Sequence, residues 1–217
     1  MAKAVSIEAL MTSALELFAE QGFEGASLRD IAAKAKVPLS TIHMYFGSKA
    51  ELFIAVYLGV WRDLNDERRG HLARALAAPD GVVSLRDVLH ALIEPIATRA
   101  RSTSPQFRLG AKMLGTWPTP PGLDQELLRS IKWDTFLPEW IDAMMAACPT
   151  LSRPQAVWAF SFVVGSLYSW QLLDDRYNRI LGLEESMGAD EITRLLVEFS
   201  VGGVNAMVES IARAREA

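Results

Sequence analysis

Cysteine is almost absent from this chain of 217 residues. Cys148 stands alone, which excludes an intrachain disulfide and fits a reducing compartment. Histidine is scarce too. His43, His71 and His90 are far apart in sequence, with no carboxylate cluster around them, so a metal site has little to build on. No run of about eighteen apolar residues is free of charge, and no transmembrane helix is expected. Glu8 and Glu16 interrupt the N-terminal stretch, which suits an amphipathic helix and not a signal peptide. A nucleophile elbow, a Walker loop, a dinucleotide-binding glycine signature, a zincin motif and a paired Cys-x-x-Cys are also missing. The chain is therefore not expected to be an enzyme or to carry a cofactor, and its expected compartment is the cytoplasm.

Positive charge is not in excess. The net charge is -4, and residues 1–75 carry nine Lys/Arg against nine Asp/Glu. Attraction to a polyanion must then come from placement. Glu8, Glu16, Glu20 and Glu24 fall in or just after the first expected helix, whereas Arg29, Lys34, Lys36 and Lys49 fall in or beside the short helices that follow. Such a field is short-ranged and sensitive to salt.

What the sequence does have is helical periodicity. Ile7, Leu10, Met11, Ala14, Leu17 and Phe18 form one stripe over residues 6–21, and Gly22 supplies a stop. Ser27 with Asp30 makes a shortened capping box for a second helix, whose inward face is Leu28, Ile31, Ala32 and Ala35. Pro38 suits the opening of a third helix, which ends near Phe46 because Gly47 breaks it. Ser48 then caps a fourth that begins at Lys49. Further helices are expected over residues 84–101 with a kink at Pro95, 105–116, 124–148 with Pro138 as a kink or a fresh start, 154–181 and 190–215. The stretch from Trp117 to Gly122 reads as a loop. With no strand pattern, the fold class is all-α. Two helical domains are expected: residues 1–52, a three-helix unit containing a helix-turn-helix, and residues 53–217, a larger one.

The third helix needs only Ile42 and Phe46 for its buried side. That leaves Ser40, Thr41, His43 and Met44 for another surface, with cations close by. This arrangement suits an element that enters a DNA major groove while its neighbours hold phosphates. The plainer alternative is a helical corner with its aromatics in the core, and for Phe46 that alternative is adopted.

Ser27-Leu28-Arg29-Asp30-Ile31-Ala32, then Val37 to Phe46, then Ser48-Lys49-Ala50-Glu51-Leu52 together resemble the TetR family of one-component transcriptional regulators. The likeness covers about residues 7–57. It implies that Leu39, Ser40, His43 and Met44 approach base edges and that Thr41, Tyr45 and Lys49 approach phosphates. Lys49 also opens a helix, where free backbone N–H groups favour an anion. Arg29, in the first turn of the second helix, is placed to reach phosphate or a groove edge. Two residues depart from the family pattern. Lys36 stands where glycine is usual, so a left-handed residue costs on the order of 1 kcal/mol and puts one more cation near the DNA. Leu39 occupies a position that is often basic or polar, so one contact to base or backbone is expected to be apolar here, to a thymine methyl.

Phe107, Met113, Trp117, Trp133, Phe136, Trp140 and Met144 gather in the middle of the chain. They form either a packed core or a pocket for a hydrophobic or aromatic effector. In the last two helices, Trp158, Phe162, Gly165 and Ser169, then Phe199, Gly203 and Met207, exceed the single stripe a surface helix needs. They fit a homodimer interface of two helices per subunit, the alternative being burial within one chain. The expected function is a ligand-responsive regulator, most simply a repressor, binding a palindromic double-stranded operator as a dimer, with no membrane involved. The competing expectations are a DNA-binding dimer without an effector and, further off, an α-helical enzyme.

Overall fold

The computed structural model describes residues 2–77, 81–115, 136–182 and 187–216. All regular structure among them is α-helical, and the chain divides into two compact units. The first comprises residues 1–63 and 102–131, the second residues 64–101 and 132–217.

In the first unit, α1 spans Ala2–Gly25 and is broken at Gly22, which holds φ 74° and ψ 177°. The expected stop therefore falls at that glycine, and one further turn follows it. Then come α2 (Leu28–Ala35), α3 (Leu39–Phe46) and the opening part of α4 (Lys49–Leu76). The stripe read from the sequence is the core: Leu10, Ala14, Leu17 and Phe18 are buried with Ile31, Ala32, Ile42, Leu52, Phe53 and Tyr57. Phe53 meets Phe18 edge-on at 5.0 Å and Phe23 at 5.3 Å, locking α1 to α4. Burying a side chain of that size contributes about 1.5–3 kcal/mol. α6 (Pro105–Gly115) packs on α1, where Gln106 Nε2 donates to Thr12 Oγ1 at 3.3 Å. Gly110 is required there, because a Cβ would stand 2.9 Å from Cγ1 of Val60.

In the second unit, α5 (Leu85–Ala100) is capped by Ser84 and keeps Pro95 buried inside it. α7 is described over Phe136–Ala147 and carries Pro138. Residues 124–135 of the expected helix, and the expected loop from Trp117 to Gly122, lie outside the described residues. α8 (Arg153–Leu181) begins as its capping motif predicts, with Ser152 N–H donating to Gln155 Oε1 at 2.9 Å. α9 (Ala189–Glu216) packs along α5. An Arg86–Glu198 ion pair joins these two helices, and the guanidinium holds the Glu198 carboxyl below its ordinary range. Arg99 pairs with Glu67 at 2.9 Å and is largely buried. Arg69 reaches Glu139 at 2.9 Å and ties α4 to α7.

By length and composition alone, Ala189–Arg213 of α9 is apolar enough to cross a membrane, and only 17% of its most apolar window is buried within the chain. It is not free of charge, because Arg194, Glu198 and Glu209 are spread along its length.

Candidate nucleic-acid interface

The α2–α3 corner is built by short-range chemistry. Ser27 Oγ accepts from the Asp30 N–H at 3.1 Å and donates to Asp30 Oδ2 at 2.7 Å, which opens α2. Its end is closed by Lys36 at φ 55° and ψ 40°, the left-handed conformation expected there. Lys36 N–H donates to Ala33 O and Val37 N–H to Ala32 O, so the turn is held by backbone bonds despite the strain of about 1 kcal/mol. Pro38 caps α3 at φ -61°. Gly47 ends it at φ 73°, where a Cβ would also collide with Glu51 Oε2 at 2.6 Å.

Within α3, Ile42 alone is fully buried. Phe46 is half-buried and shares its environment with Tyr45, whose ring centroid lies 6.5 Å away. Ser40, His43 and Met44 are exposed, Met44 by 68%, and Leu39, Thr41 and Tyr45 are half-buried. Arg29 and Lys36 are exposed beside them. His43 Nδ1 lies 3.0 Å from the Gly47 carbonyl. A carbonyl only accepts, so Nδ1 carries the proton, and in the neutral ring Nε2 is left as an acceptor.

Two lysines have partners inside the unit. Lys34 is bound to Glu16 of α1 at 2.7 Å, and that hydrogen bond raises its pKa; it therefore leaves the set of cations placed beside the corner. Lys49 Nζ donates to the Glu24 carbonyl at 3.1 Å and sits 4.7 Å from the centroid of the Phe23 ring. An ammonium has three hydrogens, so this bond leaves donors for a phosphate. Neither tie was visible in the sequence, since both join residues many turns apart.

The proposed dimer residues lie on two helix faces in the second unit. On α8, Trp158 and Phe162 are 62% and 63% exposed, and Gly165 and Ser169 continue the same side in the open. On α9, Phe199 is 70% exposed, Gly203 is exposed and Met207 is half-buried. An apolar groove of about 260 Å³ runs between these faces, lined by Phe162, Val163, Phe199, Gly203, Val204 and Met207 among others. So these aromatics are not buried within one chain.

The proposed ligand residues divide. Phe136 and Trp140 meet at 5.6 Å on α7, and Met144 is fully buried one turn on. Phe107 and Met113 belong to α6 of the first unit, the former half exposed and the latter buried. Trp117 and Trp133 lie outside the described residues. A buried polar group lies beside Phe136. Asn65 and Arg68 of α4 are buried, and the guanidinium lies 5.9 Å from the Phe136 ring centroid. Tyr168 is close enough to feel that charge: burial pushes its phenol up, and Arg68 opposes the shift. The signal was available, because Leu64, Asn65, Arg68 and Leu72 share one helical stripe.

Comparison with known proteins settles the class. A family model described as bacterial regulatory proteins, tetR family, matches residues 10–56, and one described as tetracyclin repressor-like, C-terminal domain, matches residues 90–203. The chain belongs to the TetR family of transcriptional regulators. As a TetR-family regulator it is a DNA-binding transcription factor and not an enzyme, and regulators of this family act as dimers. Among curated proteins, none matched the sequence. Several solved structures share the fold. A TetR-like transcriptional regulator from Rhodococcus sp. RHA1 aligns with a TM-score of 0.64 at 20% identity, over 93% of this chain and 97% of that one. NalD of Pseudomonas aeruginosa, the secondary repressor of the MexAB-OprM multidrug efflux pump, aligns at 0.60 and 22% identity, over 94% and 98%. The fatty acid degradation regulator FadR of Bacillus halodurans aligns at 0.61 and 16% identity, over 88% and 97%.

Proposed function

We propose that this TetR-family regulator is a cytoplasmic repressor that binds a near-palindromic operator through α3 and releases it in response to a hydrophobic small molecule. The observation that carries the reading is the polarity of α3. One residue, Ile42, anchors the helix, while Ser40, His43 and Met44 are exposed, as are the cations Arg29 and Lys36 of the preceding helix and turn. Phosphate contacts from Lys36, Lys49, Thr41 and Tyr45 would set the register, and Leu39, Ser40, His43 and Met44 would read bases. The DNA-reading part is residues 1–52, and the remainder senses and dimerises.

The exposed apolar faces of α8 and α9 support a homodimer through the last two helices. In such a dimer the two α3 helices would meet successive major-groove faces about 34–36 Å apart, or somewhat further. Phe136, Trp140 and Met144 support an effector site, and the role of NalD as a secondary repressor supports the sign of the response by analogy alone. A coupling of roughly 1–3 kcal/mol between effector and DNA is enough for regulation.

His43 gives the reading a sharp test. With Nδ1 bonded to Gly47 O, its Nε2 is positioned to accept from an exocyclic amine, cytosine N4 or adenine N6. Selection of bound DNA from a random pool should therefore show such a base in each half-site. His43→Ala is expected to lose about 1–3 kcal/mol of discrimination at that position only. Lys49→Ala should weaken binding to all sequences alike and flatten the slope of log affinity against log salt by about 0.9 per subunit. If neither variant changes DNA binding, α3 is not the reader.

A further inference from the structure

Lys49 is a cation at the unfavourable end of its helix. It is the first residue of α4, where free N–H groups and the helix dipole attract an anion and repel an ammonium. A long, strongly hydrated side chain in that field is free to swing into solvent. This one is held instead. Its Nζ donates to the Glu24 carbonyl at 3.1 Å and stands 4.7 Å from the centre of the Phe23 ring.

Both partners come from the last turn of α1, and Gly22 puts them there. Its φ of 74° and ψ of 177° break the helix, so residues 23–25 leave the line of the preceding turns. A Cβ at Gly22 would meet nothing within 4 Å. The backbone angle, not lack of space, is what requires glycine. Phe23 is half-buried and fixed by two other rings, Phe53 edge-on at 5.3 Å and Phe18 stacked at 6.4 Å. A ring so fixed offers the ammonium a face at a set position.

What these partners lack is charge. Lys34 is bound by the carboxylate of Glu16, which neutralises it. Lys49 is held by a carbonyl dipole and a ring quadrupole, while the Glu51 carboxylate of the same turn accepts from Ser48 Oγ at 2.9 Å. Neutral partners fix the ammonium without cancelling its charge and leave it a hydrogen to donate. A lysine already ordered also has less rotamer freedom to lose when it meets a phosphate.

We propose that Phe23 is a positioning residue for DNA binding: its ring, with the Glu24 carbonyl, holds Lys49 at full charge and in place for a backbone phosphate. This role rests on the phosphate contact proposed above for Lys49 and names the side chain that sets its geometry.

The test is a double-mutant cycle on the full-length protein, with operator DNA selected from a random pool and affinity read by fluorescence anisotropy. Phe23→Leu keeps an apolar side chain and removes the aromatic face. It is expected to weaken operator binding about two- to fivefold per subunit, and so about four- to twenty-five-fold in the dimer. In a Lys49→Ala background the same change should cost less than about twofold. Phe23→Tyr restores the face and should recover most of the affinity lost in Phe23→Leu. A ring that only packs on Phe53 would give equal losses in the two backgrounds. Equal losses, or no loss with Lys49 present, would overturn the proposal and leave the Lys49 phosphate contact standing. Wild-type DNA binding by Lys49→Ala would remove that contact and the proposal with it. Should circular dichroism show Phe23→Leu unfolded, Gly22→Ala carries the cycle, because it strains only the backbone that presents the ring. The same dependence on Lys49 is expected of it, and equal losses again overturn the proposal.

Discussion

Phe162→Glu combined with Phe199→Glu is expected to leave the protein as single chains and to abolish operator binding. Both rings are more exposed than buried in the isolated chain and line the groove between α8 and α9. The substitutions therefore remove little from the subunit's own core, and the variant should keep its helical circular dichroism. In a symmetric dimer each residue acts twice. Losing four buried phenylalanines at about 1.5–3 kcal/mol each, and gathering four like charges at the seam, outweighs any ordinary dimer affinity. A lone subunit reads one half-site, so operator affinity should fall toward the non-specific level, by a factor on the order of 10³ or more. Sedimentation velocity and anisotropy on the same samples give both readouts. A variant that still sediments as a dimer would move the interface elsewhere.

Ile42→Ala is expected to be the most damaging conservative change in the first unit. An eight-residue helix has no stability of its own in water, and Ile42 is the one fully buried residue of α3. Truncating a buried isoleucine costs about 2–5 kcal/mol. Here the lost contacts are also those that hold the reader in position. Operator affinity should therefore fall faster than overall stability as temperature rises. Hydrogen exchange should show α3 amides losing protection while those of α5 and α9 keep theirs. Uniform loss across both units would mean that α3 is not separately anchored.

Much of this was legible in the sequence, for identifiable reasons. Helix limits follow local chemistry, and the caps at Ser27, Ser84 and Ser152, the stop at Gly22 and the proline at 38 all act within one turn of themselves. The left-handed Lys36 was legible because only one backbone conformation closes that turn. Long-range partners were not. Nothing near Lys34 or Lys49 in the sequence points to Glu16 or to the Glu24 carbonyl. Arg68 was hidden by its company: the later turns of α4 are polar and charged, although Asn65 and Arg68 share a stripe with Leu64 and Leu72. Phe107 differs in another way. An aromatic near other aromatics in sequence was grouped with them, yet it stands half exposed in the other unit from Trp140.

The residue that closes α2 has a consequence for anyone who evolves this protein in the laboratory. A screen for heat resistance would reward glycine in place of Lys36, since a backbone held at φ 55° relaxes when the Cβ is removed. The survivors would lack an exposed cation next to the reader, and selection for toughness alone would erode the grip on DNA.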